Sequence, residues 1–136
     1  MDRDVIAQKL ESLRKCLLRI KDKCPTDAET LAQDPDLQDI LTINLTRAVQ
    51  LCVDIGTNII AASDVPPPNT MGETFDLLAV VGAIDQQLAD KLKQAVGFRN
   101  IAIHNYEAIN WTIVHDIARD RLDDFNEFAR RIASGL

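Results

Sequence analysis

Aromatic residues are scarce in this chain, which has one tryptophan, one tyrosine and four phenylalanines among its 136 residues. The core must therefore be built from leucine, isoleucine, valine and alanine, a set that suits helices packed on helices better than a β-sandwich. Strand-like alternation bounded by turn residues is also missing, and so is any internal repeat. The expected fold is all-α, in a single domain that spans residues 1–136.

Segments that would change the class of protein are missing as well. The amino-terminal residues Met1–Val5 contain no basic stretch followed by an apolar run, so we expect no signal peptide. No apolar run is long enough to cross a membrane, and no membrane partner is expected. The three cysteines, Cys16, Cys24 and Cys52, include no C-x-x-C pair, which argues against a disulfide framework or a zinc site. Free thiols, a cytoplasmic location and no cofactor are the expectation.

The charge balance limits what the surface can bind. A formal net charge of −6, from 15 basic and 21 acidic residues, excludes a surface that coats nucleic acid by general attraction. A local site for RNA remains possible if positive charge is concentrated in a cleft or supplied by a second copy of the chain. Lys15, Arg19 and Lys23 form a basic line along the first predicted helix. Such a line can guide RNA, but the same spacing is typical of solvated helix surface.

Apolar residues recur at intervals of three and four along most of the chain, which predicts amphipathic helices. The proline run Pro66–Pro68 predicts a surface loop over residues 63–69. The expected architecture is an up-and-down bundle of four main helices plus one or two short helices. The first predicted helix covers Asp4–Lys23, and a short second helix begins at the capping box Thr26–Glu29. A long third helix is capped by Asp34, and a short fourth helix begins at the capping box Thr70–Glu73. The fifth helix is capped by Asp85, and the last is capped by Asn110 and continues through Ile132.

The long helix capped by Asp34 is apolar on more than one side. Ile43, Val49 and Val53 lie off its main apolar stripe. A helix of this kind is central in its bundle or shares a face with a partner subunit. Asp54 and Asn58 stand one turn apart within it, and the pair can either reach a functional cleft or form a solvated polar strip.

Polar side chains with chemical capability interrupt the apolar pattern near residue 100. They are Arg99, Asn100, His104 and Tyr106. On a regular helix Asn100 and His104 share a face, as do Arg99 and Tyr106, whereas Arg99 and His104 are about 140° apart. Arg99 and His104 can therefore flank one groove without touching. A bend near Gly97, or a symmetric dimer that sets one copy's His104 against the other's Arg99, would bring them together.

These residue types suit metal-free cleavage of a phosphodiester. An imidazole can take a proton from a ribose 2′-hydroxyl or donate one to the leaving oxygen. An arginine can grip the phosphate and stabilise charge in the transition state. One histidine cannot readily do both proton transfers in one pass, which two copies of His104 in a dimer would solve. The residue-level alternatives are a surface Arg99, a hydrogen-bonded core His104, Asn100 as a support for His104, and Tyr106 at the edge of the core.

The segment Arg99-x4-His104-x-Tyr106, with Asn100 directly after the arginine, resembles the R-x4-H-x-Y motif of the HepT family, the DUF86 group of HEPN domains. Residues 51–56, 75–85 and 121–125 also look like regions of that family, so the resemblance covers nearly the whole chain. It implies a HEPN-like helical ribonuclease that dimerises, with the motifs of two subunits lining a shared cleft. It also implies an MntA-like minimal nucleotidyltransferase as antitoxin, which silences the toxin by attaching AMP to the motif tyrosine, here Tyr106.

The leading hypothesis is a metal-independent endoribonuclease toxin of a type II- or type VII-like toxin–antitoxin pair. Arg99 and His104 are its expected catalytic residues, Asn100 and Asp54 support them, and Tyr106 is the expected site of AMP transfer. RNA, the nucleotidyltransferase antitoxin and a second copy of the chain are the expected partners. Two alternatives remain open, a non-catalytic nucleotide- or substrate-binding accessory subunit of a minimal nucleotidyltransferase, and a helical adaptor. Outside the motif, His115 is expected to be structural, and Trp111 to anchor the core or an interface.

Overall fold

All the regular elements of the chain are helical, which confirms the expected all-α class. The computed structural model describes residues 1–136. None of its helices combines the length and the apolar character that crossing a bilayer requires. The α-helices are α1 Arg3–Lys23, α2 Ala28–Gln33, α3 Pro35–Ala61, α4 Met71–Val80, α5 Gln86–His104, α6 Trp111–Asp120 and α7 Leu122–Ser134, with a 3₁₀ turn over Tyr106–Ala108.

Side-chain caps fix most helix starts where the sequence predicts them. The carboxylates of Asp34 and Asp85 accept hydrogen bonds from backbone amides in the first turns of α3 and α5. Thr70 Oγ1 accepts the Glu73 amide at 3.1 Å at the start of α4, and Asn110 caps α6. Each cap satisfies an amide that has no partner inside the helix, which stabilises the helix by about 1 kcal/mol.

The start of the short helix α2 differs from the predicted one. The capping box predicted at Thr26 is wrong, since Asp27 is the cap. Its carboxylate accepts the Thr30 amide at 2.8 Å and the Thr30 hydroxyl at 2.7 Å. A carboxylate is a stronger acceptor than a threonine hydroxyl, so the helix starts one residue later than predicted.

The last helix, predicted as a single helix from Asn110 onward, is in fact two, α6 and α7. Between them Arg121 has φ −120° and ψ 9°, and its side chain is held by Gln94 and Asp124. The carboxylates of Asp123 and Asp124 lie in the first turn of α7, where their negative charge stabilises the positive end of the helix dipole and so favours a new helix start. The apolar spacing continues across the break, and for that reason periodicity alone predicts one helix.

The helix α3 lies at the centre of the bundle, as its additional apolar residues indicate. It is the one helix that packs against all six others. A single core of 29 buried apolar residues surrounds it. Where α3 meets α4, Gly56 is buried, and a Cβ there would lie 2.7 Å from Thr74 Cγ2 and 2.9 Å from Leu78 Cδ1. The close approach of these two helices therefore depends on a glycine.

We expect Gly56→Ala to lower the free energy of unfolding by about 1–3 kcal/mol, the usual cost of overpacking, although alanine is the better helix former. The matched control is Gly97→Ala in α5, where an added Cβ meets no atom within 4 Å. That change should raise the free energy of unfolding by about 0.5–1 kcal/mol. Urea unfolding followed by circular dichroism measures both variants, and shifts of the same sign would contradict the close packing of α3 on α4.

Candidate functional site

The polar motif lies at the carboxyl end of α5 and in the turn that follows. The helix continues through Gly97 and ends at His104, since Asn105 has φ −151° and ψ 67°. Tyr106 then begins the 3₁₀ turn. The prediction that Arg99 and Tyr106 share a helix face is therefore wrong, because the helix stops before the tyrosine. Arg99 and His104 remain on one helix, about 7.5 Å apart along its axis and about 140° apart around it.

Arg99 is half-buried and reaches towards α3. Its Nη2 donates to Gln50 Oε1 at 3.4 Å, and its Nη1 donates to Asn100 Oδ1 at 3.3 Å. Both hydrogen bonds are long, and neither acceptor is charged. The Nε–H is buried without a partner, while each Nη keeps one N–H free to donate to an anion such as phosphate.

A chain of polar contacts runs from Arg99 across α3 to α1. Gln50 donates its amide to Asp54 Oδ1 at 2.9 Å, and Asp54 Oδ2 lies 3.7 Å from Lys9 Nζ. Asp54 therefore reaches Arg99 only through Gln50. Asn58, one turn further along α3, accepts a backbone amide at the amino terminus of α1 instead. Of the two polar residues noted within α3, only Asp54 connects to the motif.

His104 is exposed at the last position of α5, where a substrate can reach its imidazole. Asn100, one turn earlier, is also exposed, and its carbonyl oxygen accepts a hydrogen bond from Arg99. The support that Asn100 gives is thus directed at the arginine beside it. No hydrogen bond joins Arg99 to His104 within one chain.

Tyr106 is tied to α3 through its hydroxyl. The O–H donates to Asp39 Oδ1 at 3.0 Å. The ring packs edge-on against the half-buried Trp111, with centroids 6.0 Å apart. Partial burial, together with the hydrogen bond to the Asp39 carboxylate, raises the pKa of Tyr106 above its usual value. The residue nevertheless keeps 43% of its surface exposed.

Two residues that contact the motif, Gln50 and Asp39, are not singled out by the sequence. Both lie on α3 and meet Arg99 and Tyr106 from far away along the chain. The spacing of Gln50 and Asp54 could have indicated that the two side chains are neighbours, since residues four apart share a helix face. Nothing in the local sequence distinguishes Asp39 from the other acidic residues near the start of α3.

Other side chains with chemical capability have structural surroundings. His115 is buried, and its Nε2 donates to the Pro25 carbonyl at 2.8 Å, which confirms the expected structural role. Cys16 and Cys52 are buried and Cys24 is half-buried, all as free thiols. Burial raises the pKa of each of these thiols. No group of three His, Cys, Asp or Glu side chains is arranged to hold a metal ion.

Known proteins are similar to this chain over most of its length. The family model described as Ribonuclease HepT-like matches residues 13–132. The mRNA nuclease HepT of Shewanella oneidensis is 36% identical over 125 residues, which are 92% of this chain and 93% of that protein.

Solved structures of toxin–antitoxin proteins are also similar to this chain. A crystal structure of a toxin–antitoxin with AMP-PNP superposes with a TM-score of 0.91 at 34% identity, covering 97% of this chain and 99% of that one. A tri-AMPylated Shewanella oneidensis HEPN toxin in complex with MNT antitoxin gives a TM-score of 0.90 at 34% identity, covering 98% and 99%. The HEPN-like helical fold that the resemblance implies is therefore confirmed.

We expect Asp39→Asn to lower the pKa of Tyr106 towards its usual value, because the variant removes the carboxylate that stabilises the neutral phenol. The chain has one tyrosine, so a titration of phenolate absorbance reports on Tyr106 alone. The matched control is Asp36→Asn, which removes a carboxylate from the first turn of the same helix. If both variants titrate like the parent chain, the contact between Tyr106 and Asp39 does not persist in solution.

Proposed function

Since the chain belongs to the family of HepT-like ribonucleases, we propose that it is the endoribonuclease toxin of a toxin–antitoxin pair and cleaves RNA with Arg99 and His104. The observation that carries this proposal is that the end of α5 bears both a guanidinium with only long hydrogen bonds and an exposed imidazole. The Shewanella relative is named an mRNA nuclease, so mRNA is the proposed substrate.

The proposed chemistry needs no metal ion. Arg99 binds the scissile phosphate and stabilises the charge that develops on it. His104 takes the proton of the adjacent ribose 2′-hydroxyl, whose oxygen attacks the phosphorus. The 5′-oxygen leaves and takes a proton from a second, protonated imidazole. The products are a 2′,3′-cyclic phosphate and a 5′-hydroxyl, and the two imidazoles have exchanged protonation states.

A second copy of the chain supplies the other imidazole in this proposal. Within one chain Arg99 and His104 diverge, and His104 is the single exposed histidine. Apolar side chains near the motif are about half exposed, with Ile43 at 48%, Ile103 at 51% and Ile113 at 52%. These side chains come from α3, α5 and α6, and a contact between two copies would cover them.

We expect purified wild-type chain without AMP on Tyr106 to cleave RNA in the presence of EDTA. Arg99→Ala and His104→Ala should each lower the rate by about 10²–10⁴-fold, the usual size of a lost acid–base or charge-stabilising group. The matched control is Arg130→Ala, which removes an exposed arginine from α7. Gel analysis of labelled RNA measures cleavage. Induced expression should arrest growth with the wild-type chain and the Arg130 control, and this arrest should be lost in the Arg99 and His104 variants.

Two results would contradict this proposal. Wild-type chain that is folded, pure and unmodified but leaves RNA intact would argue for a binding subunit instead. Cleavage that persists in both alanine variants would assign the activity to other residues, or to a contaminant. Cleavage lost on addition of EDTA and restored by a divalent cation would overturn the metal-free part alone.

We also propose that an antitoxin nucleotidyltransferase transfers AMP to Tyr106. A structural neighbour is described as a tri-AMPylated HEPN toxin in complex with MNT antitoxin. Tyr106 is the only tyrosine in the chain, belongs to the motif and is partly exposed. In the transfer the phenolic oxygen bonds to the α-phosphorus of ATP and pyrophosphate leaves, while the phenolic proton passes to Asp39. The added phosphodiester brings negative charge and bulk to the place where RNA phosphate would bind.

We expect co-expression with the cognate nucleotidyltransferase to add AMP to the wild-type chain and to abolish growth arrest. Tyr106→Phe should gain no AMP, because it has no hydroxyl to modify, and its growth arrest should persist in the presence of the antitoxin. Intact mass spectrometry measures the modification. AMP found on the phenylalanine variant would assign the acceptor to another side chain.

A further inference from the structure

A groove of about 760 Å³ lies between α1 and α3, next to the motif but outside it. Lys15 and Arg19 line it from α1, and Asn44, Arg47 and Gln50 line it from α3. Lys15 and Arg19 are one helical turn apart, so both point to the same side of α1. The two helices thus present their cations to a common space.

The groove carries positive charge only. No carboxylate lines it, although the chain has 21 acidic residues and 15 basic ones. Lys15, Arg19 and Arg47 take no part in any ion pair of the chain. Three cations without a close ion-pair partner repel one another across this space, and an anion bound there would relieve the repulsion.

A second groove on α1 shows that this charge is a local feature. That groove is lined by Arg14, Lys21 and Arg119, but also by Asp120 and Asp123. Its cations thus share the groove with carboxylates. The basic residues of α1 therefore divide into Arg14 and Lys21, whose groove also contains carboxylates, and Lys15 and Arg19, whose groove contains none.

The cationic groove is continuous with the candidate site. Gln50 lines the groove and also accepts the hydrogen bond from Arg99 at 3.4 Å. No aromatic side chain lines the groove, so a nucleobase finds no surface on which to stack. These features fit an elongated phosphate backbone better than a single nucleotide.

We propose that the groove between α1 and α3 binds the phosphate backbone of single-stranded RNA through Lys15, Arg19 and Arg47 and leads the strand to Arg99. This inference rests on the proposed ribonuclease function. The contacts are electrostatic and made to the backbone, so binding in the groove is independent of base sequence and weakens as salt rises.

Fluorescence anisotropy with a labelled single-stranded RNA tests the proposal. The full chain carries His104→Ala, so that binding is measured without cleavage. Adding Lys15→Gln, Arg19→Gln and Arg47→Gln together should reduce the dependence of log affinity on log salt by about 2, which weakens binding about 100-fold at about 0.1 M salt. The matched control is Lys21→Gln, on the same helix but in the second groove, which also contains Asp120 and Asp123. Thermal unfolding verifies that each variant is folded.

Several outcomes would overturn the proposal. Equal affinity and equal salt dependence in the parent and the triple variant would remove the groove from RNA binding. Loss of ATP binding in the triple variant, with RNA affinity retained, would make the groove a nucleotide site. A change from dimer to monomer in sedimentation, with RNA affinity retained, would make it an interface between copies of the chain.

Cleavage kinetics separate this proposal from the ribonuclease function itself. In the chain with His104 intact, the triple variant should show a raised KM for RNA with kcat little changed. If the parent chain binds RNA through the groove and does not cleave it, the result supports RNA binding in the groove and contradicts the nuclease function. If the parent cleaves RNA and the triple variant has the same KM at every salt concentration, the result supports the nuclease function and contradicts RNA binding in the groove.

Discussion

The burial of α3 on most of its circumference determines where the rest of the site can lie. This helix of 27 residues contacts the other six helices, and a strip of side chains along it stays outside the core. Asp39, Ile43, Arg47, Gln50 and Asp54 fall within about 80° of one another on the helix, at about 100° per residue. All five are exposed or half-buried. The polar side chains of α3 that reach the motif lie along this one line.

Both ends of the motif are held by that strip. Gln50 accepts a hydrogen bond from Arg99, and Asp39 accepts one from Tyr106. The carboxyl end of α5 and the 3₁₀ turn after it thus each contact a helix that is packed in the core. The hydrogen bond to Asp39 gives Tyr106 a defined position in the turn, whereas Arg99 has only long hydrogen bonds and His104 stays exposed.

Local features of the fold could be predicted from the sequence, and contacts between distant segments could not. The caps at Asp34, Thr70 and Asp85 follow from residue type and the position of the next apolar run, and each is observed. The break at Arg121 was missed because it depends on contacts with neighbouring side chains, while the apolar spacing runs on unchanged. The partners of the motif were missed for a related reason. Many polar residues lie on α3, and only the packing of α5 against it selects Gln50.

The acidic composition and an RNA substrate are compatible because charges act over short distances. At physiological salt the field of an exposed charge decays over about 8 Å, so carboxylates on the far side of the bundle have little influence in the groove. They keep RNA from other faces, which leaves the cationic groove as the favoured approach. Asp39 is next to Ile40, which lines the groove at the end opposite to Gln50, so AMP on Tyr106 would introduce its negative charge at that end of the groove. A single modification can therefore oppose binding along a path whose attraction comes from only a few cations.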